Sequence, residues 1–518
     1  MNPAPITAVL IFRIPDNVAQ RPRTCAVAKA LGRVLEITLI ESDEIGVVGV
    51  GEATVPTLRQ YNYIVDIDEP DFLRAVQGTY KLGIAFENWR EPGSRYFHAF
   101  GSHGQDHWAA SFQHYWLRAR ELGIAHDFDD YSFEAVAAFA HRFAHAKEGE
   151  LNYAFHIDAS LFARYLRKIA EAEGARRIEG KVVETRLNGE SGFIESVTLE
   201  DGKVIEGDLF VDCSGFRGLL VEKALQIAYE DWSHWLPCDR AVANQTESVG
   251  PPLPYTRAIA HGCGWQWRIP LQHRMGNGFI FSSRHLSDDE ARALLLADLE
   301  GKVLTELGVI RFQPGARRSF WSRNCVAIGL SGGFIEPLES TSIHLIQQSI
   351  MRLIRLFPHD GFNDSGMAEY NEQMRFQYEH IRDFIILHYH VTNRTDTAFW
   401  RHCRAMEIPE TLAHRIALFS EGARACPALG EYFGEPSWVQ VMLGQGIEPR
   451  AYHPIVGMTS EAELNETLTH IRNRIADAVS SLPLHQDYIA GYGRADVNDA
   501  VRTSRQTGGN LRSSPLIR

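Results

Sequence analysis

Residues 6–44 read "ITAVLIFRIPDNVAQRPRTCAVAKALGRVLEITLIESDE". Residues 8–12 are apolar and predict a buried strand. Residues 25–31 are alanine-rich and predict a short helix. Residues 35–40 predict a second buried strand, which ends at the acidic Glu41. Strand, helix, strand and terminal acid form the frame of a dinucleotide-binding unit, the acid placed for a ribose hydroxyl. Such a unit needs a glycine-rich turn after the first strand, so that backbone N–H groups can approach a pyrophosphate. Here the turn is "FRIPDNVAQRPRT", residues 12–24, with two prolines and no glycine. Proline removes N–H donors and side chains block close approach. Arg13, Arg21 and Arg23 offer charge to a pyrophosphate instead.

The rest of the composition is that of a folded protein. At 518 residues, 45% hydrophobic and 23% charged, the chain can bury a large core. A net charge of −13 argues against a nucleic-acid binder, which needs clustered Lys and Arg. The cysteines, at 25, 213, 238, 263, 325, 403 and 426, form no CxxC pair and fit reduced thiols. No apolar run reaches membrane-spanning length, and no basic segment followed by an apolar one opens the chain. These features predict a soluble, cytoplasmic protein with no membrane and no nucleic-acid partner.

Outward from the opening unit, short strands mix with helices. "YKLGIAFENW" (80–89) alternates like one strand, with Lys81, Gly83, Ala85 and Glu87 on one face. "DASLFARYLRKIAEAEGA" (158–175) predicts an amphipathic helix capped by Asp158 or Ser160 and stopped at Gly174. A meander follows, with turns at Asn188–Gly189 and Asp201–Gly202. From 344 onward the pattern is helical. The expected fold class is α/β (α+β): a Rossmann-like nucleotide domain over 1–343, a largely helical lobe over 344–505, and a flexible tail over 506–518.

Four stretches carry chemistry. "GVVGVGEATVP" (46–56) brings three glycines before Glu52, a loop that lets backbone approach a flat ring or a phosphate, or simply a tight turn. "DLFVDCSGFRG" (208–218) is a buried strand ending in Asp212 and small residues, where open α/β sheets bind ligands; a plain strand and turn reads as well. "NCVAIGLSGGFIEPLESTSIHLIQQSIMRLI" (324–354) runs from a strand through glycines into a helix starting near Ser340, with Ser340 or Thr341 as N-cap and N–H groups that favour an anion. "GCGWQWRIPLQ" (262–272) sets Trp265 and Trp267 on one strand face as an aromatic wall, or as a core pair. Of His380, His388 and His390, the first two sit eight apart on one helix face, no third ligand follows at metal spacing, and all three read as structural, so no metal is expected.

Together these stretches resemble the flavin-dependent halogenases of the tryptophan-halogenase type. The matching pieces are "GVGEATVP", "YKLGIAFENW", "YFHAFG", "VDCSGFRG", "GWQWRIP" and "NCVAIGLSGGFIEPLESTSIHLIQ", with weaker matches in "LHYHVTNRTDTAFW" and "SWVQVMLGQGIEPRAYHP". They run from about residue 35 to 490, and Trp265, Trp267 and Pro270 form the family marker.

The resemblance implies FAD, used as FADH2 from a separate NADH-dependent flavin reductase, and a halide ion, chloride or bromide. Flavin hydroperoxide and halide give hypohalous acid, which is relayed to a lysine and halogenates an electron-rich aromatic such as an indole. By match to the motifs, Lys81 and Glu339 are catalytic, and Thr341 and Ser342 hold the halide. Small Gly83 and Ala85 beside Lys81 would leave room for oxidant and substrate. FAD falls to Glu41, Gly49, Gly51, Glu52, Ala53, Thr54, Val183, Asp212, Ser214, Gly215, Gly329, Leu330 and Ser331. His98 and Phe100 match the substrate's aromatic clamp, with Trp438 as a further anchor. A homodimer also fits the resemblance.

The chain departs from the family at two places. Residues 12–24 replace the family's GxGxxG. "EYFGEPSWVQVMLGQG" (431–446) lacks a copy of the aromatic and acidic clamp that holds the amino-acid backbone in free-tryptophan halogenases. The alternatives are a flavin-dependent aromatic monooxygenase and a flavin-dead relative without catalysis.

Overall fold

Four parallel strands set one wall of the molecule. The structure is a computed structural model and describes residues 8–13, 35–42, 51–107, 109–145, 151–359 and 361–493. Its first sheet runs in the order Trp321–Ser322, Cys325–Ala327, Leu209–Cys213, Ala8–Arg13, Glu36–Glu41, Arg176–Glu179. Leu209–Cys213 pairs in parallel with Cys325–Ala327, and Glu36–Glu41 with Arg176–Glu179. Their carboxyl ends, where α/β sheets place ligands, therefore lie on one side.

Ala8–Arg13 is reversed among them. It is antiparallel to both neighbours, with Ala8 opposite Glu41 and Arg13 opposite Glu36. The parallel strand–helix–strand unit expected from residues 8–41 is thus not formed. A strand of this length spans roughly 17–20 Å, so Arg13 lies at the end of the sheet away from Glu41. The expected helix at 25–31, the loop from 14 onward, Gly49 and the 506–518 tail lie outside the described residues.

A seven-stranded sheet, in the order Gly308–Arg311, Arg240–Thr246, Met275–Phe281, Gly264–Pro270, Thr256–His261, Gly83–Glu87, Arg95–Ala99, forms the second wall. The expected single strand at 80–89 is two. Thr79–Lys81 joins a small sheet with Ala154–Asp158 and Gly51–Ala53, while Gly83–Glu87 enters the seven-stranded one. Leu82 turns the corner between them, its N–H bonded to the Pro254 carbonyl at 2.7 Å. Gly83 does not open space beside Lys81: a Cβ there would sit 2.4 Å from the His98 carbonyl and 2.6 Å from the Phe97 ring.

The helix Ala159–Ala172 forms as expected, with the Asp158 carboxylate accepting from the N–H groups of Ser160 and Leu161, both at 3.0 Å. Of the two expected turns, Gly202 (φ +85°) makes the second, whereas the first runs on to Gly192 (φ +68°). The second half is helical, through Ser342–Arg355, Asp364–His390, Glu410–Gly422 and Glu461–Ser481 among others. One hydrophobic cluster carries residues from Leu35 to Leu468, so strands and helices share a core.

Candidate active site

Lys81 ends its strand with a fully buried side chain. Its Nζ donates to the Thr54 carbonyl at 3.1 Å and to the Ser340 hydroxyl at 2.9 Å, and lies 5.0 Å from the Phe100 ring centroid. Burial pulls the amine down to about 7, against the opposing pull of the Glu339 carboxylate. Of Ser340 and Thr341, the alternative helix caps read from the sequence, Thr341 takes the N-cap position and Ser340 does not. Ser340 instead adopts a left-handed backbone (φ +61°) that turns its hydroxyl to the amine.

Glu339 is buried and enclosed by imidazoles. His98 Nδ1 lies 2.9 and 2.8 Å from its two oxygens, and His388 Nε2 lies 2.9 Å from Oε1. Burial alone would raise this carboxyl. The His98 charge and the bonds from both rings override it and hold the group at about 2. His388 turns Nε2 to the carboxylate as a close ion-pair contact and faces the Tyr96 hydroxyl, 2.7 Å away, with Nδ1. The His388 ring stacks on Phe86 at 4.6 Å. His98, expected as an aromatic clamp, is thus a partner of Glu339, and His388, expected as structural, is another. Among the described residues no group of three or more His, Cys, Asp or Glu is placed to hold a metal.

The helix begins at Ser342, with Thr341 as N-cap and no side-chain cap. The first-turn N–H groups therefore have no side-chain cap, and they follow directly in the chain on the Ser340 that Lys81 bonds, an arrangement that suits an anion.

Behind this helix lies an apolar cavity of about 230 Å³ lined by Leu39, Phe162, Val211, Gly215, Gly329 and Leu330, among others. Gly215 (φ +70°) and Gly329 (φ +71°) take the left-handed backbone at its strand ends. Glu52 and Gln347 are among the polar side chains that line it. Glu52 Oε1 and both polar atoms of Gln347 are buried without a hydrogen-bond partner. Burial pushes Glu52 up to about 8, so it is a neutral donor at neutral pH. A planar ring with apolar faces and a polar edge, such as a flavin, fits this donor set.

The other expected cofactor residues divide. The Thr54 hydroxyl donates to the Phe155 carbonyl at 2.8 Å, and Ala53 lies in the same small sheet. The Asp212 carboxylate accepts from the N–H groups of Ser214, Leu220 and Val221 at 2.8–3.0 Å and so braces the turn. Ser214 accepts from the Leu219 N–H at 2.7 Å, and Ser331 donates to the carbonyls of Asp212 and Ile328. Glu41 pairs with Arg167 at 2.8 Å and Arg177 at 2.5 Å, two arginines absent from the sequence-based expectation. Val183 is exposed on a strand of another sheet.

Trp265 and Trp267 are buried with ring centroids 6.1 Å apart, and the Pro270 carbonyl at the strand end accepts from Thr79 at 2.8 Å. Trp438 is buried behind the site: its indole N–H donates to the Phe433 carbonyl at 3.1 Å and its ring meets Phe384 edge-on at 4.7 Å. The acidic residues of 431–446 are engaged by the chain itself. Arg415 clamps Glu431 with two bonds of 2.7 and 2.6 Å, and Gln113 donates to Glu435 at 3.0 Å.

The tryptophan halogenase family model matches residues 23–461, and the chain belongs to that family. The match begins beyond most of the aberrant 12–24 loop. The family is flavin-dependent: it works with FADH2 and a halide, with a separate flavin reductase and an aromatic substrate, and this chain is accordingly an oxidoreductase-type enzyme.

Among solved structures it is similar to Xcc4156, a flavin-dependent halogenase from Xanthomonas campestris, at 51% identity and TM-score 0.90 over 91% of this chain and 95% of that one. It is similar to BrvH, a flavin-dependent halogenase from Brevundimonas sp. BAL3, at 45% and 0.85 over 88% and 93%. The tryptophan 7-halogenase RebH of Lentzea aerocolonigenes is 33% identical over 90% of this chain and 95% of its own. Among the described residues no helix is long and apolar enough to cross a membrane.

Proposed function

We propose that the chain halogenates an uncharged, electron-rich aromatic such as indole, with Lys81 and Glu339 as its catalytic pair. The supporting observation is the buried Lys81 amine, joined through Ser340 to the turn that carries an ionised Glu339. FAD is held by Glu52, Gly215, Gly329, Leu330 and Gln347 around the apolar cavity; reduced, with oxygen and a halide, it supplies hypohalous acid. Thr341 and Ser342 hold the halide through the uncapped helix start.

Lys81 spends two donors on Thr54 and Ser340, and its ammonium form keeps a third for the oxygen of hypohalous acid. That bond helps the oxygen leave as water while the halogen passes to a ring carbon. Glu339 takes the proton the ring loses and, because a carboxyl held at about 2 does not keep it, gives it up again, which restores the proton that Lys81 passes to the departing water; His98 and His388 hold the carboxylate ionised for the next cycle. Phe100 lines the ring's side of Lys81. With Glu431 and Glu435 already engaged, the 431–446 segment has no free carboxylate for a substrate ammonium, which favours indole over the amino acid. The protein works in the cytoplasm, where the reductase and FADH2 are, and a homodimer is part of the same reading.

The test is bromination of indole and of L-tryptophan with FAD, NADH, a flavin reductase and bromide, followed by chromatography. Bromoindole is expected, with little bromotryptophan. A hydroxylated product that persists in Lys81→Ala would establish a monooxygenase, and failure to bind FAD would establish a flavin-dead relative.

A further inference from the structure

Glu336 lies one residue ahead of the Pro337–Glu339 turn and is fully buried. Its Oε2 accepts from the Trp265 indole N–H at 3.1 Å and from the Tyr389 hydroxyl at 2.6 Å. Its Oε1 has no partner. Three elements therefore meet on one oxygen: the Gly264–Pro270 strand, the Asp364–His390 helix and the turn itself.

The turn needs such anchoring. It has no side-chain cap, and it ends in Ser340 with φ +61°, a conformation that a non-glycine residue keeps only when its surroundings fix it. The neighbours His388 and Tyr389 reach Glu339 and Glu336 respectively, so the last turn of one helix grips both glutamates. Burial raises Glu336 to about 7 against the two hydrogen bonds, so a neutral amide of the same shape keeps the accepting oxygen.

We propose that Glu336 is a positioning residue for the halogenation step: clamped by Trp265 and Tyr389, it fixes the turn that sets Glu339 and Ser340 against Lys81. The family-marker Trp265 then acts as a hydrogen-bond donor as well as an aromatic wall. The proposal rests on the halogenase reading for its kinetic consequence, and on geometry alone for the turn.

Trp265→Phe and Tyr389→Phe each remove one donor and keep a ring. Each is expected to lower kcat, and halogenated product per FADH2 oxidised, by about tenfold or more. KM for the aromatic and the Kd for FAD stay at wild-type values. Hydrogen exchange of the 336–342 amides rises in both. Glu336→Gln keeps most of the activity and the slow exchange, whereas Glu336→Leu loses both. Wild-type kcat and exchange in both donor variants would overturn the proposal, as would a Glu336→Gln protein as damaged as Glu336→Leu. Exchange needs no turnover. If no protein halogenates while exchange still rises in the donor variants, the activity reading fails and the anchoring of the turn stands.

Discussion

The Lys81–Glu339 end of the site and the Ala8–Arg13 end of the sheet differ in how far this chain completes them. At the first, each polar group is engaged: the amine by Thr54 and Ser340, the carboxylate by His98 and His388, and His388 by Tyr96. At the second, the strand that should feed the pyrophosphate turn runs against both neighbours, so Arg13 lies beside Glu36, at the other end of the sheet from Glu41. Chemistry built from side chains on several elements does not hang on one segment. A pyrophosphate cradle depends on consecutive backbone N–H groups of a single loop, so one segment decides it.

Predictions follow from that contrast, in order of size. Lys81→Ala is expected to lower halogenation by about 10³-fold or more, measured as product per minute with FADH2 supplied in excess. FAD binding should stay unchanged, because the amine sits at the completed end. Glu339→Gln is expected to cost about 10²-fold in kcat with KM for the aromatic held, since it removes the base and leaves the imidazoles in place.

Replacing residues 12–24 with a GxGxxG turn addresses the other end. With the Ala8–Arg13 strand turned by the new loop into the direction of its neighbours, FAD binding is expected to tighten by about tenfold or more in a fluorescence titration, each regained charge-assisted bond contributing about 1.5–3 kcal/mol. An unchanged Kd would show that Glu52, Gln347 and the rest of the cavity already provide the binding. The pH profile sharpens the first end: with Lys81 at about 7, kcat is expected to fall as pH rises through that value, because the ammonium is the working form. A rise through the same pH would identify the neutral amine as the working form instead.

The smallest effect is on stability. A lysine lowered from 10.5 to about 7 binds fewer protons folded than unfolded between those values, so stability rises with pH across that window. Lys81→Met removes the buried charge, and at pH 7 it is expected to raise Tm by a few degrees in a thermal scan while abolishing halogenation.

Part of the site was legible because its signals are local. Lys81 in "YKLG", Glu339 in "PLEST" and the helix start after it lie in short motifs, and the structure brings Lys81 against the turn that carries Glu339. Alternation misread 80–89 as one strand, because a corner at Leu82 leaves the apolar pattern unbroken while the hydrogen-bond partners change. His98 read as a stacking ring because nothing beside it in sequence announces Glu339. His388 read as bland because its partners lie on the 95–99 strand and the 337–339 turn.

The amino-acid sequence by itself determined the local terms: the apolar strands, the Asp158-capped helix, the glycines with positive φ, and the residue types able to hold a halogen oxidant and accept a proton. Tertiary structure alone decided which of them act together. It set the direction of Ala8–Arg13, spent the acidic residues of 431–446 on Arg415 and Gln113, and closed two histidines on one carboxylate. The physical reason is that charge state and hydrogen-bond partnership depend on burial and on distances of a few ångströms between residues remote in the chain, and no local pattern encodes them.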